Sequence, residues 1–187
     1  MKYIIALALN ILCLALPAHA GPEAYRLDKA NSQVAFDYVF SGNPKTGRMF
    51  VADAQISVDL DNLPASQVDV AIDASRADAG FAFATQAMRS TEVLNTARHP
   101  RILFRSTAIT GTLQKATVSG LLTIRGVTRP IDLDAKLGRV PGTPQTARDQ
   151  LIVYLEGSVS RAAFGATGFP GYVGDTIAIR IAARIVK

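Results

Sequence analysis

Few side chains in this sequence are equipped for chemistry. Histidine occurs twice, at His19 and His99, and cysteine once, at Cys13. His19 and Cys13 both fall in an N-terminal segment that reads as removable, so a Ser-His-Asp triad would have to pass through His99. No nucleophile elbow accompanies it. With no second histidine or cysteine beside it, a metal site would need carboxylates alone, and His99 before Pro100 suits a helix end or turn better than a ligand. Asp69, Asp73 and Asp78, and separately Asp132 and Asp134, have the spacing of residues on one strand face. Paired carboxylates can do acid–base work, but the solvent side of an antiparallel strand explains the same spacing without chemistry. Arg89, Arg98, His99, Arg101 and Arg105 make the densest basic patch. It would suit a phosphate group or an anionic membrane surface, and equally a solvated face. Neither a catalytic nor a metal site is expected.

Composition narrows the classes further. Lys2, an apolar run over 4–16 broken only by Asn10, and Ala18-His19-Ala20 have the layout of a secretory signal peptide, which places the expected mature chain at 21–187 and in the periplasm or outside the cell. Leu12 before Cys13 argues against a lipid-attachment site. Of 20 Lys and Arg and 15 Asp and Glu in the 187 residues, only Lys2 lies in the leader, so the net charge falls from +5 to +4 on cleavage. Loss of Cys13 removes disulfides, Cys-ligated zinc, iron–sulfur clusters and thiol nucleophiles from consideration. Beyond the leader no stretch approaches the roughly 18 apolar residues of a membrane helix. The basic residues are scattered singly, so no nucleic-acid partner is indicated. The remaining length suits one domain with a proper core.

The elements that must position these residues are mostly strands. Val34, Phe36, Tyr38 and Phe40 alternate with polar or small neighbours, as do Ile56, Val58 and Leu60, and Val68, Val70 and Ile72. Alternating or strand-like runs recur over 102–109, 116–124, 130–137 and 151–159, and most clearly in Ile177, Ile179, Ile181, Ala183 and Ile185. Turn residues at 41–44, 61–64, Gly111, 125–126 and 138–144 separate them. Only 78–98 breaks the alternation, and its Ala, Gln, Met and Arg predict one or two short helices ending at His99-Pro100. About eight strands with one helical excursion predict an all-β antiparallel fold, a barrel in preference to a sandwich.

Three segments, read in order, resemble the YceI-like family of secreted bacterial proteins, also described as polyisoprenoid-binding. They are Met88-Arg89-Ser90 with 93–100 and Ile102-Phe104, then Gly120 to Pro130, then Ser160-Arg161, Phe164-Gly165, Gly174-Asp175 and the closing strand. Tyr25 to Asp28, Ser32 and Phe36 fit the family's opening strand. The resemblance implies a lipocalin-like antiparallel β-barrel enclosing an apolar tunnel for an isoprenoid quinone or polyprenyl lipid, with transport, storage or stress-protective roles and no catalysis. Two stretches depart from the family pattern: Phe81 to Ala87, where charged residues and a histidine are frequent, and Ala163, where an acidic residue is common.

A long apolar ligand needs a wall of large uncharged side chains, since its affinity scales with the surface it removes from water. Phe36, Tyr38, Phe81, Phe83, Met88, Phe104, Phe164, Phe169 and Tyr172 are the candidates, with Arg89 and His99 for a head group or portal. Phe81 and Phe83, alternating with Ala82 and Ala84, are expected to act together at the portal. Transient membrane contact and a homodimer through apolar portal residues are further expectations. Two other readings stay open: a stress-response interaction module without lipid, and an enzyme acting on a lipid-like substrate.

Overall fold

Alternation puts one face of every strand toward a common interior, and antiparallel pairing closes that interior. The computed structural model describes residues 21–144 and 146–187, so the leader and Cys13 lie outside the described residues. Among the described residues the strands are β1 (Glu23–Leu27), β2 (Gln33–Phe40), β3 (Asn43–Val58), β4 (Gln67–Asp78), β5 (Arg101–Thr112), β6 (Lys115–Ile124), β7 (Val127–Arg139), β8 (Gln150–Ser160) and β9 (Thr176–Val186), with one α-helix, α1 (Ala82–Arg89). All pair antiparallel, β3 through β9 in chain order.

Nine strands fill eight positions of the barrel. β1 runs between β3 and β9, with Tyr25 opposite Ile56 and Leu27 opposite Ile185, and β2 continues in the same slot, with Val34 opposite both Met49 and Ile181. A short 3-10 turn at Lys29–Asn31 interrupts the slot, held by the Asp28 carboxylate accepting from the Asn31 backbone and side-chain amides at 3.3 and 2.8 Å. The expected eight-stranded lipocalin-like barrel is therefore the observed one, with its first strand broken in two.

Two boundaries differ from expectation. Residues 41–44 read as a turn, but only Ser41 and Gly42 turn, both with positive φ, and β3 begins at Asn43 opposite Phe40. Gly111, also read as a turn residue, lies inside β5 at φ +98°, two residues before the reversal. The excursion at 78–98 holds one helix, followed by turns.

The connections sort the barrel into two ends. The β3–β4, β5–β6 and β7–β8 links and the chain termini lie at one end; β2–β3, β4–β5, β6–β7 and β8–β9 lie at the other. Tyr25, Leu27, Leu151 and Ile185 close the first end, with Leu151 fully buried and Ile185 2% exposed. The Tyr25 hydroxyl donates to the Arg148 carbonyl at 2.6 Å, and burial pushes its pKa up, so it stays a neutral donor. Outside, the strand-face aspartates do structural work. Asp69 accepts from Arg105 and Asp37 accepts from Arg180, and these guanidiniums hold both carboxyls below the usual carboxylate range.

Candidate functional site

Side chains from every position of the barrel converge on one cavity of about 680 Å³. Its walls are the inward faces of the strands, for example Val70 and Ile72 of β4, Val118 and Leu122 of β6, and Ile179 and Ile181 of β9. No Asp, Glu, His or Cys among the described residues lines it, and the polar residues that do are Ser32, Ser66, Lys136, Arg161 and the two tyrosines Tyr38 and Tyr172. Many wall residues are only half-buried because they face this space and not one another. A cavity of this size with so little polar lining offers an apolar guest desolvation and dispersion contacts, and few hydrogen bonds.

The cavity reaches the surface at the end carrying the two long connections. Phe83 and Tyr172 line it and are each 61% exposed. α1 lies across this end and turns Phe83, Ala84, Ala87 and Met88 toward the cavity, the one-sided spacing an amphipathic helix allows. The 161–175 connection sits opposite, tied to the β2 end by Ser41 N–H to the Tyr172 carbonyl at 2.7 Å and Gly174 N–H to the Val39 carbonyl at 3.0 Å. Phe169 holds φ +55°, a left-handed backbone that is uncommon for an aromatic residue, while its carbonyl accepts from the Tyr172 and Val173 amides. Strain of this kind persists only where its surroundings over-determine it, and here it presents the ring to the cavity.

Of the residues singled out from the sequence, Phe36, Tyr38, Phe83, Met88, Phe104, Phe164, Phe169 and Tyr172 face the cavity. Phe81 does not line it: it precedes α1 and stacks edge-on against Phe40, ring centroids 5.3 Å apart. Phe81 and Phe83 therefore part company instead of acting as a pair. Tyr38 donates its hydroxyl to the Ala79 carbonyl at 2.7 Å, and burial, helped by the Asp78 charge, raises its pKa.

Neither proposed head-group residue reaches the cavity wall. Arg89 folds back to donate through Nε and Nη2 to the Ala77 carbonyl at 3.2 and 2.8 Å, fixing α1 to the end of β4. His99 packs over the tight β6–β7 turn, where a Cβ on Gly126 would lie 3.2 Å from its Cε1. The basic patch is dispersed, since Arg105 is committed to Asp69 on the outer wall.

What sequence reasoning missed is Arg161. Its guanidinium donates to four backbone carbonyls, Ala166 at 2.6 Å, Gly168 at 2.7 Å, Val173 at 3.0 Å and Gly174 at 3.1 Å, so one side chain shapes the whole connection around the opening. Ser160-Arg161 stands among the family-like segments, but its clamping role is not legible there, because its partners are main-chain atoms. Arg161→Met keeps the stem and removes the donors. At ~1.5–3 kcal/mol for a hydrogen bond to a charged group, partly recovered by water, the expected loss is about 2–4 kcal/mol. Hydrogen exchange should show the amides of 166–174 losing protection first.

A closed antiparallel barrel around an apolar cavity open at one end defines a lipocalin-like β-barrel. The chain belongs to the YceI-like family: the family model, described as a YceI-like domain, matches residues 25–185. Protein YceI of Escherichia coli O157:H7 is 35% identical over 85 residues, 46% of this chain and 44% of that protein, so the match spans less than half of the curated relative. Among solved structures, BcnA of Burkholderia cenocepacia superposes with a TM-score of 0.74 at 18% identity, covering 85% of this chain and 99% of the other. A structure described as a polyisoprenoid binding domain from Saccharophagus degradans gives 0.65 at 15% identity, covering 87% and 98%. Likeness at these identities speaks to the fold.

Proposed function

We propose that this protein is a secreted or periplasmic lipid carrier that threads an isoprenoid chain, that of a quinone or a polyprenyl lipid, into the barrel, for transport, storage or protection under stress. The observation that carries the reading is the cavity: deep, aliphatic and aromatic, blind at the Leu151–Ile185 end and open beside Phe83 and Tyr172. A branched hydrocarbon chain matches such a wall, whereas a polar substrate would have to shed its water there with little compensation. The Saccharophagus degradans structure of the same fold, described as polyisoprenoid-binding, supports the same class of guest. We read the protein as a carrier and not a catalyst, since no Asp, Glu, His or Cys among the described residues lines the cavity.

The test is a lipid extract of the purified protein analysed by mass spectrometry, followed by uptake of added quinone and polyprenyl chains. A stoichiometric isoprenoid in the extract, or saturable uptake of one, is the expected outcome. An empty cavity that takes up neither ends the proposal.

A further inference from the structure

The charge of this protein is unevenly placed along the barrel axis. Residues 40–48, 73–102, 124–130 and 160–176, which build the open end, carry nine Lys and Arg against four Asp and Glu. The rest of 21–187 carries ten against eleven, so the net positive charge of the described chain resides at the opening. The pairing pattern differs as well. On the wall and at the closed end, Arg105, Arg148, Arg180 and Lys187 meet carboxylates. At the opening Arg48 meets Asp78 at 3.8 Å, while Arg89, Arg125, Arg129 and Arg161 donate to backbone carbonyls, Arg125 to Thr91 and Val93 and Arg129 to Ala163. A carbonyl satisfies the guanidinium's hydrogens without cancelling its charge. Asp78 lies beside Arg48 and Arg89 and Asp175 beside Arg161, but cations outnumber carboxylates at this end, so the loops around the opening are held by a collar of net positive charge.

The same end carries the most exposed apolar side chains. Phe83 and Tyr172 are each 61% exposed and line the cavity mouth from two separate segments, and Val39, 45% exposed, faces outward beside Gly174 at the end of β2. Phe40 stacks beneath Tyr172 at 6.3 Å and edge-on to Phe81 at 5.3 Å, so the rim has a rigid aromatic base. An aromatic rim set in a basic collar matches the interface of an anionic bilayer, where aromatic rings settle at head-group depth and each basic residue adds attraction.

We infer that the open end docks on an anionic membrane surface, with Phe83, Tyr172 and Val39 entering the interface and the basic collar facing the head groups. The inference rests on the cavity reading, because docking with the mouth down lets an apolar chain pass between bilayer and barrel without crossing water. Attraction is reversible and screened by salt, as a carrier that must leave again requires.

Vesicle co-sedimentation of the purified protein decides it. Vesicles of phosphatidylcholine with about 30% phosphatidylglycerol should bind at least tenfold more tightly than phosphatidylcholine alone, and about 0.5 M salt should abolish the difference. Lys45, Arg98 and Arg101 are exposed and lie off the cavity wall. The triple variant Lys45→Gln, Arg98→Gln, Arg101→Gln should weaken binding to the anionic vesicles by on the order of a hundredfold. It should still take up a quinone from detergent solution without vesicles. Phe83→Ser with Tyr172→Ser should weaken binding to the anionic vesicles even at low salt. Equal partition onto both vesicles, no partition onto either, or a charge variant that binds like the parent overturns docking. So does a dimer that buries the rim and leaves vesicles untouched. The detergent uptake assay judges the cavity reading separately, so the two can fail independently.

Discussion

Ala183→Trp is expected to lower affinity for a long isoprenoid chain by at least tenfold while leaving a short one bound with little change. Ala183 lies near the closed end of β9 and lines the cavity between Ile181 and Ile185. An indole there projects into free space and shortens the cavity from its blind end. Each hydrocarbon carbon held out in water forfeits about 0.8 kcal/mol, so excluding even part of one isoprene unit costs more than the ~1.4 kcal/mol that makes a factor of ten. A chain short enough to stop above the indole loses nothing. Ala183 packs against the Leu151–Ile185 cluster on one side and lines the cavity on the other, so the melting temperature should fall by no more than a few degrees. Titration of a homologous series of quinones, read by displacement of a fluorescent probe, measures the effect. Equal loss for short and long chains would place the guest somewhere other than this tunnel. The counterpart at the other end is Ala87, on the inward face of α1 beside Phe83, where bulk would obstruct entry of every chain alike.

The contrast between these two positions shows which parts of the site were legible in the sequence. Strand alternation names the inward face directly: Ile177, Ile179, Ile181, Ala183 and Ile185 all point to the interior, and with them come Phe36, Tyr38 and Phe104. The short helix defeats the same logic. Phe81 is the extended residue before α1 and Phe83 lies in its first turn, so the two leave in different directions: Phe81 goes to Phe40 and only Phe83 reaches the mouth. The first half of β3 hid for another reason. Asn43 to Arg48 contains Pro44, Lys45 and Gly47 and is exposed except at Gly47, so its pairing with β2 depends on partners three to thirteen residues away and on no apolar rhythm of its own. Arg89, Arg125, Arg129 and Arg161 all stand in the family-like segments, yet their clamping role was not legible because a carbonyl acceptor belongs to every residue. A basic patch in sequence, Arg89 to Arg105, became an outer-wall ion pair, a helix anchor and a turn support.

Gly47 carries the second large effect. It sits directly opposite Phe36 in the β2–β3 register, and the ring of Phe36 lies across the space a side chain would occupy. A Cβ at position 47 would stand 2.5 Å from Phe36 Cε1 and 2.6 Å from the Asp78 carbonyl oxygen. The first contact could be eased by moving the ring, but Phe36 is packed with Tyr38, Ala79 and Ala84. The second cannot be eased without moving backbone of β4, whose end anchors α1 through Arg89 and Ala77. Gly47→Ala is therefore expected to cost about 3 kcal/mol, the upper part of the usual range for overpacking. At about 2–4 °C per kcal/mol for a domain of this size, the melting temperature should fall by about 6–12 °C. Phe36→Leu in the same background should recover part of that loss, leaving the backbone contact, and the coupling between the two sites should be at least about 1 kcal/mol. Because a displaced Phe36 ring would swing toward the cavity mouth, the variant should also take up lipid more weakly at temperatures where it remains folded. Unchanged melting in Gly47→Ala would mean that the β2–β3 register or the Phe36 rotamer differs from the one described, and with it the wall of the cavity at its open end.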